Sequence, residues 1–320
     1  MELDSKPISI SLDRNEKNSS LAFISHAHSD HIAAAKSKKK PKIISSLETC
    51  SLINAVYGLN PELYESESSN DGISMLDAGH MLGSKQLCID AGNGRTVYTG
   101  DYQMQRSMVS KPLDYTDADT LIMDSTYPDP DIKFGDRAET EMLLQEWTEK
   151  RLDEGIVLFG SYAMGKAQEI ISILNKIGIT PAVSRKIFEV NKVYVKYGYN
   201  LKSYPAYDTP DDTSIFSDNF VGVIENNMLK QVSEMLYASH KKHVFTAVAT
   251  GFAKVYKFST DAQFAISDHA DFNQAIELVE RVKPRKIYTY GNNDVKFAHN
   301  LSNAGYPAAP YPGGKTITIE

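Results

Sequence analysis

The run Ser25-His26-Ala27-His28-Ser29-Asp30-His31 follows directly on the apolar stretch Leu21 to Ile24. It constrains the chain more than any other feature, because three of the eight histidines fall within six residues. His26 and His28 lie two apart on an extended segment, so their side chains point the same way. Asp30 and His31 follow on a turn, ahead of a helix expected to begin near Ile32, and can face the other side of a small cavity. That arrangement divides the ligands between two divalent metal ions rather than loading one. Imidazole combined with carboxylate suits Zn²⁺ first, with Mn²⁺ or Fe²⁺ behind it.

A metal centre needs a scaffold, and composition bounds it. The chain has 320 residues, 42% hydrophobic and 23% charged, which is ordinary for an ordered α/β protein with room for two domains. No apolar run reaches the roughly 18 residues of a membrane span, so no membrane association is expected. The opening MELDSKPISI has no signal-peptide core. Cys50 and Cys88 form no disulfide framework, and the expected compartment is the cytoplasm. The net charge of −7 excludes a generally basic nucleic-acid binder, although bound cations would cancel part of it. Lys36, Lys38, Lys39, Lys40 and Lys42 cluster in one stretch, either a solvated loop or a phosphate-contacting patch.

Periodicity divides the chain. Ile8 to Leu12, Leu21 to Ile24, Lys42 to Ser45, Gly72 to Asp77, Gln86 to Asp90, Thr96 to Tyr98 and Leu121 to Met123 read as strands. Glu48 to Tyr57 reads as a helix, and Gly92-Asn93-Gly94 as a hairpin turn. From Glu139 to about His240, helices and strands alternate as in a parallel α/β unit. Strands and loops return afterwards, with a helix over Phe272 to Val282 and a strand over Ile287 to Tyr290. One domain interrupted by another is expected: 1–129 and 245–320 form the outer domain, and 130–244 the insert.

Further metal-binding and acid–base candidates follow short apolar strands: His80 in DAGHMLGS, Asp101 in YTGD, Asp124 in MDSTY and His269 in ISDHAD. Such positions can converge on one rim of a sheet. Taken in order, SHAHSDH, AGHMLGS, YTGD, DSTY and ISDHAD resemble the motifs of the β-CASP nucleases in the metallo-β-lactamase superfamily. The resemblance is nearest to the exonuclease-like branch, associated with DNA ligase or with RNA 3′-end processing. GSYAMGKAQE looks like the helix start characteristic of the β-CASP insert, which is short here.

The resemblance implies a metallo-β-lactamase αββα sandwich carrying an inserted α/β β-CASP domain. By position, His26, His28 and His80 would bind one metal, Asp30 and His31 a second, and Asp101 would bridge both. Asp13 would support the ligand loop. Asp30, Asp124 and His269 would take the catalytic roles, with His269, paired to Asp124, over the leaving-group oxygen. The implied activity is metal-dependent hydrolysis of phosphodiester bonds in single-stranded RNA or DNA, in exonuclease mode. Two alternatives stand beside it: another metallohydrolase, such as a small phosphodiesterase or thioesterase, and a non-catalytic nucleic-acid-binding member.

One position departs from the pattern. RNA-processing members place a metal-ligating His where IYTYGNN has Tyr290, and DNA-processing members place Val. A neutral phenol is a poor ligand, so the second ion would be held more weakly. His299 reads as a helix-surface residue. Ser161, Gly165 and Lys166 open a helix that could hold a phosphate, and with Tyr290 they are the candidate substrate-binding residues. His240, Lys241, Lys242 and His243 form a basic patch near the expected seam, read first as a solvated turn and otherwise as lining a cleft where a strand could thread between domains. Trp147, the only tryptophan, reads as core. No KH-type segment is legible, so a homodimer or a nucleic-acid-processing partner is expected to help deliver substrate.

Overall fold

Alternation along short strands builds the first unit. The computed structural model describes residues 8–17, 19–65, 72–92, 94–206, 218–312 and 316–319. In chain order come β1 (Ile8–Leu12), β2 (Leu21–Phe23), β3 (Lys42–Ile44), α1 (Leu47–Tyr57), β4 (Ile73–Asp77), β5 (Lys85–Ala91), β6 (Gly94–Tyr98) and β7 (Thr120–Asp124). Then follow α2 (Arg137–Glu154), β8 (Ile156–Ser161), α3 (Lys166–Lys176), β9 (Ala182–Val183), α4 (Arg185–Lys196), β10 (Tyr204–Pro205), β11 (Val221–Glu225) and α5 (Leu229–His240). The remainder is β12 (Val244–Ala249), β13 (Ala262–Phe264), α6 (Phe272–Val282), β14 (Lys286–Tyr290), α7 (Asp294–Asn303), β15 (Ala308–Pro310) and β16 (Thr316–Ile319).

Unit 1 comprises Met1–Arg106, Ser110–Ile132 and His269–Glu320. It holds a four-stranded sheet, β16-β1-β2-β3, and a six-stranded sheet, β15-β14-β7-β6-β5-β4. Leu87, Ile89, Tyr98 and Ile122 of the larger sheet pack against Ile10, Leu12, Phe23 and Ile44 of the smaller one. Their sequence neighbours Cys88, Val97, Leu121 and Met123 point the other way, into a layer filled by Phe272, Leu278, Phe297 and Leu301 of α6 and α7. One strand thus serves two cores because successive side chains alternate faces. This is the expected αββα arrangement. β5 and β6 form the expected hairpin, closing at the pair Ala91 and Gly94; Asn93 of its turn lies outside the described residues.

Unit 2 comprises Ser107–Val109 and Lys133–Asp268. Its six strands are all parallel, in the order β10-β9-β11-β8-β12-β13. Trp147 of α2 packs edge-on against Phe159 and Phe264, as core. The sequence reading set the second seam near 245. β12 pairs with β8 and β13 with β12, so the structural division falls after Asp268 instead. The return of strand-and-loop texture after Lys241 reflects the far edge of this parallel sheet, not a change of unit.

The helix expected at Ile32 does not form. Residues 32–39 make turns, with one Lys36 N–H to Ile32 carbonyl bond and then tighter ones from Ser37 to Ala34 and Lys40 to Ser37. The crowded lysines repel on any helix face, and Pro41 disfavours helical backbone at Lys40, which takes a positive φ of 45°. Among the described residues, no helix is long and apolar enough to cross a membrane.

Ile122 is fully buried between the two sheets. Ile122→Ala should cost about 2–5 kcal/mol, measured as a loss of unfolding free energy in urea. A loss below about 1 kcal/mol would contradict close packing at this position.

Candidate metal centre

The site is assembled from strand ends. His26 and His28 follow β2, His80 follows β4, Asp101 follows β6, and Asp124 closes β7. Two glycines permit the approach. Gly100 has φ 57°, and a Cβ there would lie 2.6 Å from the Ser25 Cβ. Gly79 has φ 84°, and a Cβ there would lie 2.1 Å from the Gln103 carbonyl oxygen. YTGD and DAGH therefore need glycine before their ligand residues.

Ligating atoms of His26, His28, His80 and Asp101 all lie within 4.8 Å of one another. His28 Nδ1 is 3.0 Å from His26 Nε2 and 3.1 Å from His80 Nε2. Asp101 Oδ2 sits 3.5 Å from His26 Nε2, 3.4 Å from His31 Nε2, 3.8 Å from His80 Nε2 and 4.0 Å from His269 Nε2. It therefore stands between the three-histidine group and His31. Asp30 is the outlier: its carboxylate is 3.7 Å from His31 Nε2, and its side chain is 71% exposed.

Hydrogen bonds behind the cluster set the tautomers. The Ser25 hydroxyl donates to Asp13 Oδ2 at 2.8 Å and so can only accept from His26 Nδ1, 2.9 Å away. That puts the His26 proton on Nδ1 and leaves Nε2 with a lone pair facing the cluster. His31 Nδ1 donates to the same Asp13 carboxylate at 2.9 Å. Burial and the neighbouring imidazoles, His31 first among them, hold His26 well below its usual pKa and therefore neutral. Burial also lowers His31, but Asp101, Asp13 and Asp30 outweigh it and push its pKa to about 10. Burial pushes Asp101 up, with His31 opposing and Asp124 adding to the rise. The His26 lone pair, with the His28 and His80 ring nitrogens converging on it beside a carboxylate-rich locus that draws positive charge, fits a divalent cation.

At the edge of the cluster, His269 Nδ1 is 2.9 Å from Asp124 Oδ2, leaving Nε2 toward Asp101. Asp124 Oδ1 accepts from the Thr126 N–H at 2.9 Å and hydroxyl at 2.8 Å. The Gln103 amide donates to the His269 carbonyl at 2.8 Å. Sequence reasoning missed Ser25, Thr126 and Gln103. Only Ser25 carried a signal, as the hydroxyl residue abutting His26. The second acid of ISDHAD, Asp271, is structural: it closes a capping box with Gln274 at the start of α6.

Several expected substrate contacts fall elsewhere. The Tyr290 hydroxyl donates to the Leu12 carbonyl at 2.9 Å, and its ring packs on Tyr98. Burial, with Asp13 nearby, raises its pKa, so it remains a neutral phenol spent on the backbone. Lys166 is 1% exposed and donates to Glu169 at 3.0 Å, with Asp268 3.7 Å away. Burial lowers it to about 8 despite Asp268. The first N–H groups of α3 are also occupied: Lys166 donates to Met164 and Ala167 to Tyr162. Ser161 is buried, with its hydroxyl unpartnered, and Gly165 caps α3 with no side-chain bond. The phosphate reading of GSYAMGKAQE thus loses its cation and most of its donors. His243 packs on Phe245 and His240 on Phe220, so this basic turn is braced by rings. His299 is exposed on α7, as expected.

No family model matches the chain. A probable DNA ligase of Opitutus terrae is 26% identical over 308 residues, covering 90% of this chain and 28% of that protein. The RNase J-like protein of Methanocaldococcus jannaschii is 28% identical over 187 residues, covering 50% of this chain and 44% of that protein. The chain belongs to the β-CASP nuclease family of the metallo-β-lactamase superfamily. It spans less than half the length of either of these relatives. A crystal structure of a protein of unknown function from Enterococcus faecalis has the same fold, with a TM-score of 0.62 at 14% identity, over 95% of this chain and 83% of that one. The family implies divalent metal ions, and the donor set fits them.

Ser25→Ala should weaken metal retention about 10- to 100-fold, read by competition with a chromophoric chelator, because His26 loses the partner that fixes its tautomer. Retention equal to the parent chain would rule out this role for Ser25.

Proposed function

We propose that this β-CASP chain is a metal-dependent nuclease that hydrolyses phosphodiester bonds of single-stranded RNA or DNA in exonuclease mode. The observation that carries the reading is the Asp124–His269 pair, 2.9 Å apart, with His269 Nε2 turned toward Asp101 at the edge of the imidazole cluster. Carbonyl substrates such as β-lactams and thioesters need no such distal acid; a phosphodiester leaving as an alkoxide does.

In this reading His26, His28 and His80 hold one ion, Asp30 and His31 a second, and Asp101 stands between them. Zn²⁺ suits imidazole ligands best, with Mn²⁺ as the alternative. When bound, such ions supply Lewis acidity for phosphoryl oxygens and a water-derived nucleophile near neutral pH. His269, as imidazolium, gives its Nε2 proton to the departing oxygen as the P–O bond breaks. Asp124 holds the Nδ1–H throughout, fixing ring orientation and stabilising the charged form. Tyr290 offers neither the His nor the Val of the relatives' two patterns, so the sugar is left to experiment.

The test uses 5′- and 3′-labelled single-stranded RNA and DNA with Zn²⁺ and Mn²⁺. His269→Ala should lower kcat by about 10²- to 10⁴-fold while leaving the bound metal, by elemental analysis, unchanged. His28→Ala should lose both metal and activity. A parent chain that carries metal and turns over small phosphodiesters but leaves every oligonucleotide intact would defeat the nuclease reading.

A further inference from the structure

The loop between β12 and β13 displays an aromatic side chain between lysines and is held in shape by hydrogen bonds of its own. Tyr256 is 61% exposed and Val255 42% exposed. Lys254 and Lys257, flanking them, are exposed, and neither forms an ion pair among the described residues. The nearby Asp261 carboxylate accepts from the Thr246 N–H at 2.7 Å and hydroxyl at 2.9 Å through one oxygen, Oδ2. In a chain of net charge −7, the two lysines make this loop a local site of excess positive charge, with Asp261 the one acid in the wall of the same concavity.

The display is not fraying. Thr250 caps the turn that opens the loop, accepting from the Phe252 N–H at 3.3 Å. The N–H groups of Val255 and Tyr256 both bond the Phe252 carbonyl, at 2.9 and 2.8 Å. The Gln263 amide of β13 clamps the loop, donating to the Ala253 carbonyl at 2.9 Å and accepting from the Phe258 N–H at 3.0 Å. Phe252 stacks on Tyr256 with ring planes 29° apart, supporting one side of that ring. A concavity of about 460 Å³ borders the loop, with Lys254, Tyr256, Phe258 and Thr260 in its wall.

Topology points to the same place. After β8 the chain leads through α3 to β9 on one side of the sheet; after β12 it leads to β13 on the other. β8 and β12 are adjacent, so their outgoing connections diverge. In parallel sheets such a point, at the carboxyl ends of the strands, is where ligands bind.

We infer that the Gly251–Phe258 loop is a docking platform for single-stranded nucleic acid, in which Tyr256 stacks on a base and Lys254 and Lys257 contact flanking phosphates. Aromatic stacking accepts any base, and ammonium groups release counterions from the backbone, so the platform adds affinity without sequence preference. Its rigidity means little ordering is left for binding to bring about. The inference rests on the nuclease reading for its occupant, but it concerns residues outside the metal centre.

The experiment measures anisotropy of short fluorescein-labelled oligouridylate and oligothymidylate on the full chain in EDTA, where cleavage cannot interfere. Tyr256→Ala and Tyr256→Leu should weaken binding by about 5- to 150-fold, and Tyr256→Phe by less than about 2-fold. The double change Lys254→Gln with Lys257→Gln should reduce the slope of log Kd against log salt by about 1.4. Parent-like affinity in both Tyr256 variants, or a parent-like slope in the double variant, overturns the platform. So does a parent dimer that Tyr256→Leu splits, on size exclusion, with oligonucleotide affinity unchanged, which would make the loop a protein contact. Weakened binding in the Tyr256 variants supports the platform even if the parent chain cleaves no oligonucleotide, so the two readings fail separately.

Discussion

Much of unit 1 turns on one buried carboxylate. Asp13 ends β1 at a positive φ of 51°, a conformation Asp tolerates better than most residues. It is 2% exposed and accepts four hydrogen bonds: the Ser25 N–H at 2.7 Å, the Ser25 hydroxyl at 2.8 Å, the Tyr98 hydroxyl at 2.8 Å and His31 Nδ1 at 2.9 Å. Ser25 follows β2 of the small sheet, whereas Tyr98 ends β6 of the large one. The carboxylate therefore ties the two layers of the sandwich together at the rim where the imidazoles gather. Leaving such a charge unpaired in the interior would cost several kcal/mol, so its donors and the strand ends that carry them are held as a set.

The position of the site follows from strand direction. β4, β6, β7 and β14 run parallel to one another in the large sheet, and β1, β2 and β3 do so in the small one. His80, Asp101, Asp124 and Tyr290 all come at or just after carboxyl ends of the first set, and His26 just after that of β2. This is why the site was legible from sequence. Each candidate ligand follows a short apolar run, and a polar residue there must emerge at the rim, since the next side chains leave the core. The glycines before His80 and Asp101 show their purpose only in the fold, where both take a positive φ and a Cβ would collide with a neighbouring segment.

Other parts were illegible for physical reasons. Ser25 is visible as the hydroxyl residue beside His26, but its role lies in which proton it donates and which it accepts, and no spacing rule encodes that. The stretch after His31 looks helical from composition, because Ile32 is followed by Ala33, Ala34 and Ala35, and alanine is the best helix former. Local lysine repulsion and Pro41 decide otherwise. Lys166 reads as a surface cation at a helix start. It lies instead within a buried cluster where Glu169 also pairs with Arg137, and Arg137 donates to the Ser267 carbonyl at 2.7 Å. Its role is to bind unit 2 internally, and only the fold reveals which carboxylates surround it. The second seam failed because an edge strand of a parallel sheet is as short and apolar as a strand of the sandwich.

Tyr290 links the legible and illegible parts. Its register partner is Asp124, so its main chain stands at the rim beside the acid pair. Its hydroxyl nevertheless turns inward to the Leu12 carbonyl, one residue before Asp13, and its ring packs against Tyr98. Where relatives are expected to use this position for a ligand or a plain apolar side chain, this chain uses it to brace the Asp13 turn. The two proposed ion loci are then unequal for a structural reason. One is enclosed by three buried or half-buried imidazoles, with His26 oriented from behind by Ser25. The other relies on His31, the shared Asp101 and the exposed Asp30, with no contribution from the β14 end. Any difference in affinity between the two ions should follow from that asymmetry and not from a difference in ligand chemistry alone.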